Sequence, residues 1–133
     1  MQSILKISDA AAIALHAADY MAGQKNPLSP AMEMTKALNV SYNHLSKVLQ
    51  NLTKAGLVLA ERGPKGGFAL SRTGKKARVR DFITAIDGAP STRACMLKHK
   101  VCLHRDCVLG NFLSETNERF KAVLDRKISE FRI

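Results

Sequence analysis

A polar, glycine-rich turn between two short β-capable runs is the feature that most constrains how this chain can fold. The turn is the Gly-Pro-Lys-Gly-Gly segment at 63–67, and the runs lie at 57–61 and 68–71. A turn of this composition needs a positive φ at some position, which glycine adopts without steric cost. The sequence therefore predicts a β-hairpin with Arg62 at its stem and Lys65 at its tip.

An amphipathic helix from about Tyr42 to Ala55 comes immediately before this hairpin, and Gly56 is placed to end it. A shorter helix that ends near Leu38 and a tight turn at 39–41 come before the amphipathic helix. The apolar residues of the longer helix share one face, and they are Leu45, Val48, Leu49 and Leu52. Two helices joined by a short turn and followed by a hairpin predict a winged helix-turn-helix.

The amino-terminal part of the chain contains two further helix starts. Ser8 can cap a first helix that runs to about Met21, with Gly23 as its stop. Ser29 is expected to cap the second, shorter helix, which has Pro30 at its first position.

Two more helices are predicted after the hairpin. A short one covers about 80–87 and ends at Gly88, and a last one begins near 107–108 and runs to about 131. The last helix would be roughly 24 residues and roughly 36 Å long. Its apolar stripe consists of Leu109, Phe112, Leu113, Phe120, Val123, Leu124, Ile128 and Phe131. Because so small a domain cannot cover such a stripe alone, the sequence predicts contact with a second copy of the helix.

The expected fold class is therefore mainly α with a small β-hairpin wing. The expected organisation is a winged helix-turn-helix domain at 1–88, a cysteine-containing loop at 89–107 and a dimerisation helix at 108–133.

Positive charge is concentrated on the helix and hairpin. The chain has a net charge of +10 and a pI of about 9.9, and residues 36–80 contain ten Lys or Arg and one acid, Glu61. Such a balance favours a polyanionic partner, most often nucleic acid. The side chains placed to contact double-stranded DNA are Tyr42, Asn43, His44, Ser46 and Lys47 on the helix and Arg62 and Lys65 on the hairpin.

Three cysteines, Cys95, Cys102 and Cys107, are the only ones in the chain, and their spacing is Cys-x6-Cys-x4-Cys. Three thiols cannot all pair internally, which favours a reducing cytoplasm. Nearby cations lower a thiol pKa and favour the metal-ligating thiolate. Spacing alone leaves three alternatives open: an iron–sulfur cluster, a zinc site completed by His104 or His99, and metal-free thiol redox chemistry.

Other function classes find little support in the sequence. No arrangement typical of a nucleophilic, metalloprotease or paired-carboxylate active site is present, so an enzyme is not expected. No apolar run reaches the length of a membrane span, and no signal peptide is convincing, so we expect a cytoplasmic protein. A metal-binding adaptor that does not bind DNA is the competing class.

Five segments of the chain resemble the IscR and NsrR type of bacterial winged-helix regulators. They are Ile-Ser-Asp at 7–9, Val-Ser-Tyr-Asn-His-Leu at 40–45, Lys-Ala-Gly-Leu-Val at 54–58, the hairpin segment at 62–70, and Ile-Thr-Ala-Ile-Asp-Gly at 83–88. The resemblance implies a homodimer that binds a pseudo-palindromic operator. It also implies a [2Fe-2S] or [4Fe-4S] cluster whose state changes DNA affinity.

By the same resemblance, Cys95, Cys102 and Cys107 would be the three sulfur ligands. Some members supply a fourth ligand as a histidine three residues after the last cysteine, where this chain has Gly110. Others use an aspartate at the start of the first helix, donated by the partner subunit, and Asp9 matches that position. His104 is the local alternative.

Overall fold

The computed structural model describes residues 7–90, 109 and 111–131, and over these residues the chain is mainly helical with one two-stranded antiparallel sheet. In chain order the elements are α1 (Asp9–Ala22), α2 (Ala31–Leu38), α3 (Tyr42–Lys54), β1 (Val58–Glu61), β2 (Gly67–Leu70), α4 (Arg72–Lys76), α5 (Val79–Asp87), α6 (Phe112–Leu124) and a 3-10 turn (Ile128–Phe131). The predicted fold class, mainly α with a hairpin wing, is confirmed.

The core is built around α1, and four of the five buried residues of this helix are alanines. Ala11, Ala14, Ala17 and Ala18 are fully buried. Because an alanine side chain is a single methyl group, α3 and α5 can both pack closely on α1. The larger side chains that fill the core come mainly from those two helices, and they include Leu45, Leu49, Leu52, Phe82 and Ile83.

The ends of α1 follow the prediction. The Ser8 hydroxyl accepts a hydrogen bond from the Ala11 amide at 3.0 Å, which satisfies one of the free N–H groups of the first turn. Gly23 is the carboxyl-terminal cap.

Ser29 was predicted to cap α2, and this prediction is wrong. The cap residue is Pro30, which supplies no side-chain hydrogen bond. Ser29 is buried and pairs with β2 instead, since its amide donates to the Phe68 carbonyl at 2.8 Å and its carbonyl accepts from the Phe68 amide at 2.9 Å. A Cβ at Gly67 would lie 2.8 Å from the Ser29 carbonyl carbon, so the close approach requires glycine there. This pairing fixes the hairpin to the start of α2.

The helix α4 was not predicted from the sequence. Ser71 caps it, and its hydroxyl accepts from the Gly74 amide at 2.9 Å. Gly74 is buried, and a Cβ there would collide with the carbonyl oxygen of Leu57. A helix of five residues is too short to have a visible apolar period.

The last helix is shorter than predicted, because α6 ends at Leu124 and does not continue to about residue 131. Its 13 residues span about 20 Å. After it the chain turns back: the Val79 amide donates to the Arg126 carbonyl at 2.9 Å, and the Ile128 amide donates to the Ala77 carbonyl at 3.2 Å. The predicted start at 107–108 lies outside the described residues.

The apolar stripe of the predicted long helix is divided between two environments. Phe120, Leu124 and Ile128 are buried in the chain's own core, whereas Phe112 and Val123 are 53% and 41% exposed. A second copy is therefore not needed to cover the first group.

Candidate nucleic-acid interface

The position of α3 is set by short-range contacts at its amino terminus. Asn39 ends α2 in the left-handed conformation with φ 54°, which asparagine tolerates better than most residues. Ser41 then caps α3, and its hydroxyl accepts from the His44 amide at 3.1 Å. The predicted tight turn between the two helices is confirmed.

The first turns of α3 present polar groups to solvent. Its apolar face is buried against the core, so the opposite face is left exposed. Of the predicted DNA-contacting residues on this helix, Tyr42, Asn43, His44 and Lys47 are exposed, and Ser46 is half-buried. An asparagine amide can pair with adenine through two hydrogen bonds, and a lysine can reach guanine or phosphate.

The wing places two cations at an exposed hairpin tip. Arg62 and Lys65 are both exposed. The turn is closed by the Gly66 amide, which donates to the Gly63 carbonyl at 2.9 Å, and Gly63 has the positive φ that was predicted, 110°. Cations in such a loop can contact phosphates or enter a minor groove.

The hairpin is held against α3 at its base. Its register pairs Val58 with Leu70 and Glu61 with Gly67. Leu57, Val58 and Leu70 are buried, and β1 contacts α3 directly. The cationic helix face and the wing therefore belong to one packed unit.

Asp9 lies at the first position of α1 and is exposed. Its neighbour Ser8 donates through its amide to the Asp87 carboxylate at 2.9 Å, and the Ser8 hydroxyl donates to the other oxygen of the same carboxylate. These two hydrogen bonds join the start of α1 to the end of α5. Asp87 lies three residues before Pro90, where the described segment ends. Sequence reasoning missed this role of Asp87, because nothing in the local sequence pairs two residues so far apart.

The predicted cluster ligands Cys95, Cys102, Cys107 and His104 lie outside the described residues. Within the described residues there is no group of three or more His, Cys, Asp or Glu side chains arranged to hold a metal ion. None of the helices in that part of the chain is both long and apolar enough to cross a membrane.

A second group of cations was not assigned a role from the sequence. Arg72, Lys75 and Lys76 are exposed on α4, the helix that follows the wing in the chain. The signal was visible as a run of basic residues from 72 to 80, but without the helix it had no location in the fold.

A family model named Rrf2 and described as an iron-dependent transcriptional regulator matches residues 7–128. The chain belongs to the Rrf2 family. The resemblance to IscR and NsrR type regulators is thereby confirmed, and the named relatives are transcriptional regulators rather than enzymes, as predicted.

Two curated relatives and one solved structure illustrate the family. A protein of Aquifex aeolicus classed with HTH-type transcriptional regulators is 32% identical over 95 residues, which are 71% of this chain and 66% of that protein. The transcriptional repressor NsrR of Streptomyces coelicolor is 29% identical over 93 residues, 70% of this chain and 63% of that one. The structure of T. potens IscR matches with a TM-score of 0.66 and 21% identity, covering 96% of this chain and 85% of the other.

These matches differ in what they establish. At 21% identity the likeness to the solved structure shows the winged-helix fold alone. The matched segments span just under two thirds of the length of both curated relatives.

Proposed function

We propose that this member of the Rrf2 family is a homodimeric transcriptional regulator that binds a specific DNA operator through α3 and the wing. The observation that carries the proposal is the division of α3 into one fully buried apolar face and one exposed face that begins with Tyr42, Asn43 and Lys47. A capped, rigidly packed helix with such residues at its amino terminus has the form of a recognition helix. The proposed site of action is the cytoplasm.

The test is selection of duplexes from a random pool by the purified protein, followed by anisotropy titrations with the selected duplex. Lys47→Ala should weaken the selected duplex by about 1–3 kcal/mol. Lys121→Ala is the matched control, because it removes the same charge from an exposed site on α6. Equal losses from the two variants, or the absence of any selected sequence, would contradict specific readout by α3.

A second copy of the chain is the proposed occupant of the exposed apolar side of α6. Phe112 and Val123 are about three helical turns apart, so they lie on the same face of the helix. Large apolar side chains that remain exposed on one helix face are typical of a protein interface. A two-fold dimer would present two copies of α3, which fits a pseudo-palindromic operator.

An iron–sulfur cluster on Cys95, Cys102 and Cys107 is the proposed sensor. The chemistry of the donors fits, because thiolates are the usual ligands of [2Fe-2S] and [4Fe-4S] clusters. Asp9 is an exposed carboxylate with no hydrogen-bond or ion-pair partner among the described residues, so it is free to act as a fourth ligand, and His104 is the other candidate. When bound, a cluster would supply a centre that oxidants, nitric oxide or iron limitation can change.

The residues of this chain offer a route from the sensor to the reading helix. The Ser8–Asp87 hydrogen bonds join the start of α1, beside Asp9, to the end of α5, after which the cysteine segment follows. Both helices pack on α3. A change in the cysteine segment that moved α1 or α5 would alter the packing of that helix on α3. Switching requires such a difference in contacts between two states.

The sensor is tested by anaerobic reconstitution with iron and sulfide. Each of Cys95→Ala, Cys102→Ala and Cys107→Ala should abolish the visible absorption and alter operator affinity, with the far-UV circular dichroism unchanged. Asp9→Ala or His104→Ala should change the spectrum only where that residue is a ligand. Tightly held stoichiometric zinc, or normal regulation by the triple Cys→Ala variant, would contradict the cluster and leave a cluster-free regulator.

A further inference from the structure

The helix α4 and the residues that follow it carry a second cationic surface. Five Lys or Arg residues lie between 72 and 80. Two of them are used inside the fold: the Arg80 guanidinium contacts the Asp125 carboxylate at 2.6 Å, and Arg78 donates to the Asp125 carbonyl. The other three are exposed and have no acidic partner among the described residues, and they are Arg72, Lys75 and Lys76.

A groove of about 580 Å³ lies beside this helix. Arg72, Thr73 and Lys76 of α4 form one wall, and Thr84 and Ala85 of α5 form the other. The remaining lining residues are Ala55, Leu57, Ala77 and Asp81, and the first three make the floor apolar.

One carboxylate, that of Asp81, also lines the groove. Asp81 accepts a hydrogen bond from the Arg78 amide at 2.8 Å, which caps the first turn of α5. Arg72 and Lys76 carry two positive charges against this one negative charge, so the rim keeps a net positive charge for an acidic ligand.

The groove is separated from the proposed DNA-reading surface. It is lined by Ala55, at the carboxyl-terminal end of α3, whereas the reading residues begin at Tyr42. The helix between them is 13 residues, or about 20 Å. Ser71 and Leu57, at the base of the hairpin, form a backbone hydrogen bond next to the groove, so it lies at the opposite end of the hairpin from Lys65.

We propose that this groove binds an acidic peptide segment of a partner protein, with at least one apolar side chain of that segment on the floor. Cations at the rim complement carboxylates and steer their approach. The apolar floor suits a peptide, since duplex DNA would use the cations but leave the floor uncovered. The proposal is independent of operator binding, because the two surfaces do not share residues.

The experiment measures two ligands on the full chain by fluorescence anisotropy. The first is a labelled peptide of alternating Glu and Leu, compared with one of alternating Glu and Gly, and the second is a labelled duplex of arbitrary sequence. The double variant Arg72→Glu/Lys76→Glu should weaken the Glu/Leu peptide by about tenfold or more and change duplex affinity by about twofold or less. The double variant Lys47→Glu/Lys65→Glu makes the same change in net charge and should do the reverse.

Two further variants separate charge, shape and folding. Thr84→Trp changes no charge and places a large ring in the groove from an exposed position, so it should weaken the Glu/Leu peptide alone. Arg72→Gln/Lys76→Gln removes the cations without introducing repulsion, and it replaces the Glu variant if that variant loses its native circular dichroism.

Three results would overturn the proposal. If the wild-type chain binds the Glu/Leu peptide no more tightly than the Glu/Gly peptide, the apolar floor does not contribute to binding. Equal weakening of the peptide by the two charge-matched double variants would indicate attraction by net charge only. A larger loss of duplex than of peptide in the Arg72/Lys76 variants would make this surface a nucleic-acid contact instead.

Discussion

The helices α3 and α6 have the same length, 13 residues, and opposite surfaces. In α3 the core-facing apolar residues are fully buried, and the exposed side begins with polar and cationic residues. In α6 some apolar residues are buried and others, Phe112 and Val123, remain in solvent. A helix that exposes polar and cationic groups is suited to nucleic acid, and one that exposes large apolar groups is suited to another protein.

The comparison also separates folding from association. Leu124 is fully buried in the chain's own core, whereas its neighbour Val123 is 41% exposed. Adjacent residues on a helix point in different directions, because each residue advances the helix by about 100°. One part of the apolar sequence of α6 can therefore pack in the chain's own core while another part is left exposed for association.

The largest expected effect is on association. Phe112→Asp places a charge in the proposed dimer contact and should weaken dimerisation by about 3–5 kcal/mol, because a buried charge without a partner is costly. Sedimentation velocity should show a monomer at concentrations where the wild-type chain is a dimer. Asn26→Asp adds a similar charge at an exposed loop and should leave the dimer intact. A wild-type chain that sediments as a monomer at micromolar concentration would contradict the proposed dimer.

The next effect is on folding. Leu124→Ala removes a fully buried side chain and should lower the free energy of unfolding by about 2–5 kcal/mol, through lost burial and a residual cavity. Urea unfolding in the Phe112→Asp background keeps association out of the measurement. Val123→Ala in the same background should change the free energy by about 0.5 kcal/mol or less. Similar losses for the two residues would mean that α6 does not pack as described.

On α3 the expected effect is on DNA specificity. Asn43→Ala should cost about 1–3 kcal/mol against the selected duplex and much less against an arbitrary one. Lys65→Ala on the wing should weaken both duplexes and lower the slope of log affinity against log salt by about one unit. Titrations at several salt concentrations distinguish these results. A uniform loss with Asn43→Ala would assign that residue to the phosphate backbone.

The smallest expected effect concerns the helix ends. Ser41→Ala removes the hydroxyl that caps α3 and should cost about 1 kcal/mol of stability. Asn111 caps α6 without a side-chain hydrogen bond, so Asn111→Ala should cost about 0.5 kcal/mol or less. Thermal unfolding of the two variants provides the check. Equal losses would indicate that the Ser41 bond contributes little.

Much of the candidate interface could be predicted from the sequence, because its signals are local. The apolar face of α3, the tight turn at 39–41 and the positive φ within the glycine-rich turn each depend on neighbours a few residues away. The exposure of Asn43 and Lys47 follows once the opposite face is buried. Ligation by the three cysteines is untested and stays a prediction, since they lie outside the described residues.

The features that sequence reasoning missed depend on partners that are distant in the chain. Ser29 looked like a helix cap, but its backbone groups pair with Phe68. The Ser8–Asp87 hydrogen bonds join residues 79 positions apart. The helix α4 depends on Gly74 fitting against the Leu57 carbonyl. None of these partners can be identified from a local pattern.

The sequence alone determined a winged helix-turn-helix whose third helix has a polar and cationic face, because helix periodicity, capping and turn chemistry act over a few residues. Only the tertiary structure decided where the last helix ends and which of its apolar residues are exposed. The chain turns after Leu124 because backbone groups of residues 126 and 128 form hydrogen bonds with residues 79 and 77. These hydrogen bonds cannot be predicted from the periodicity of α6. Burial is a property of the whole packed chain, and so the surface left for a partner is known only after packing is complete.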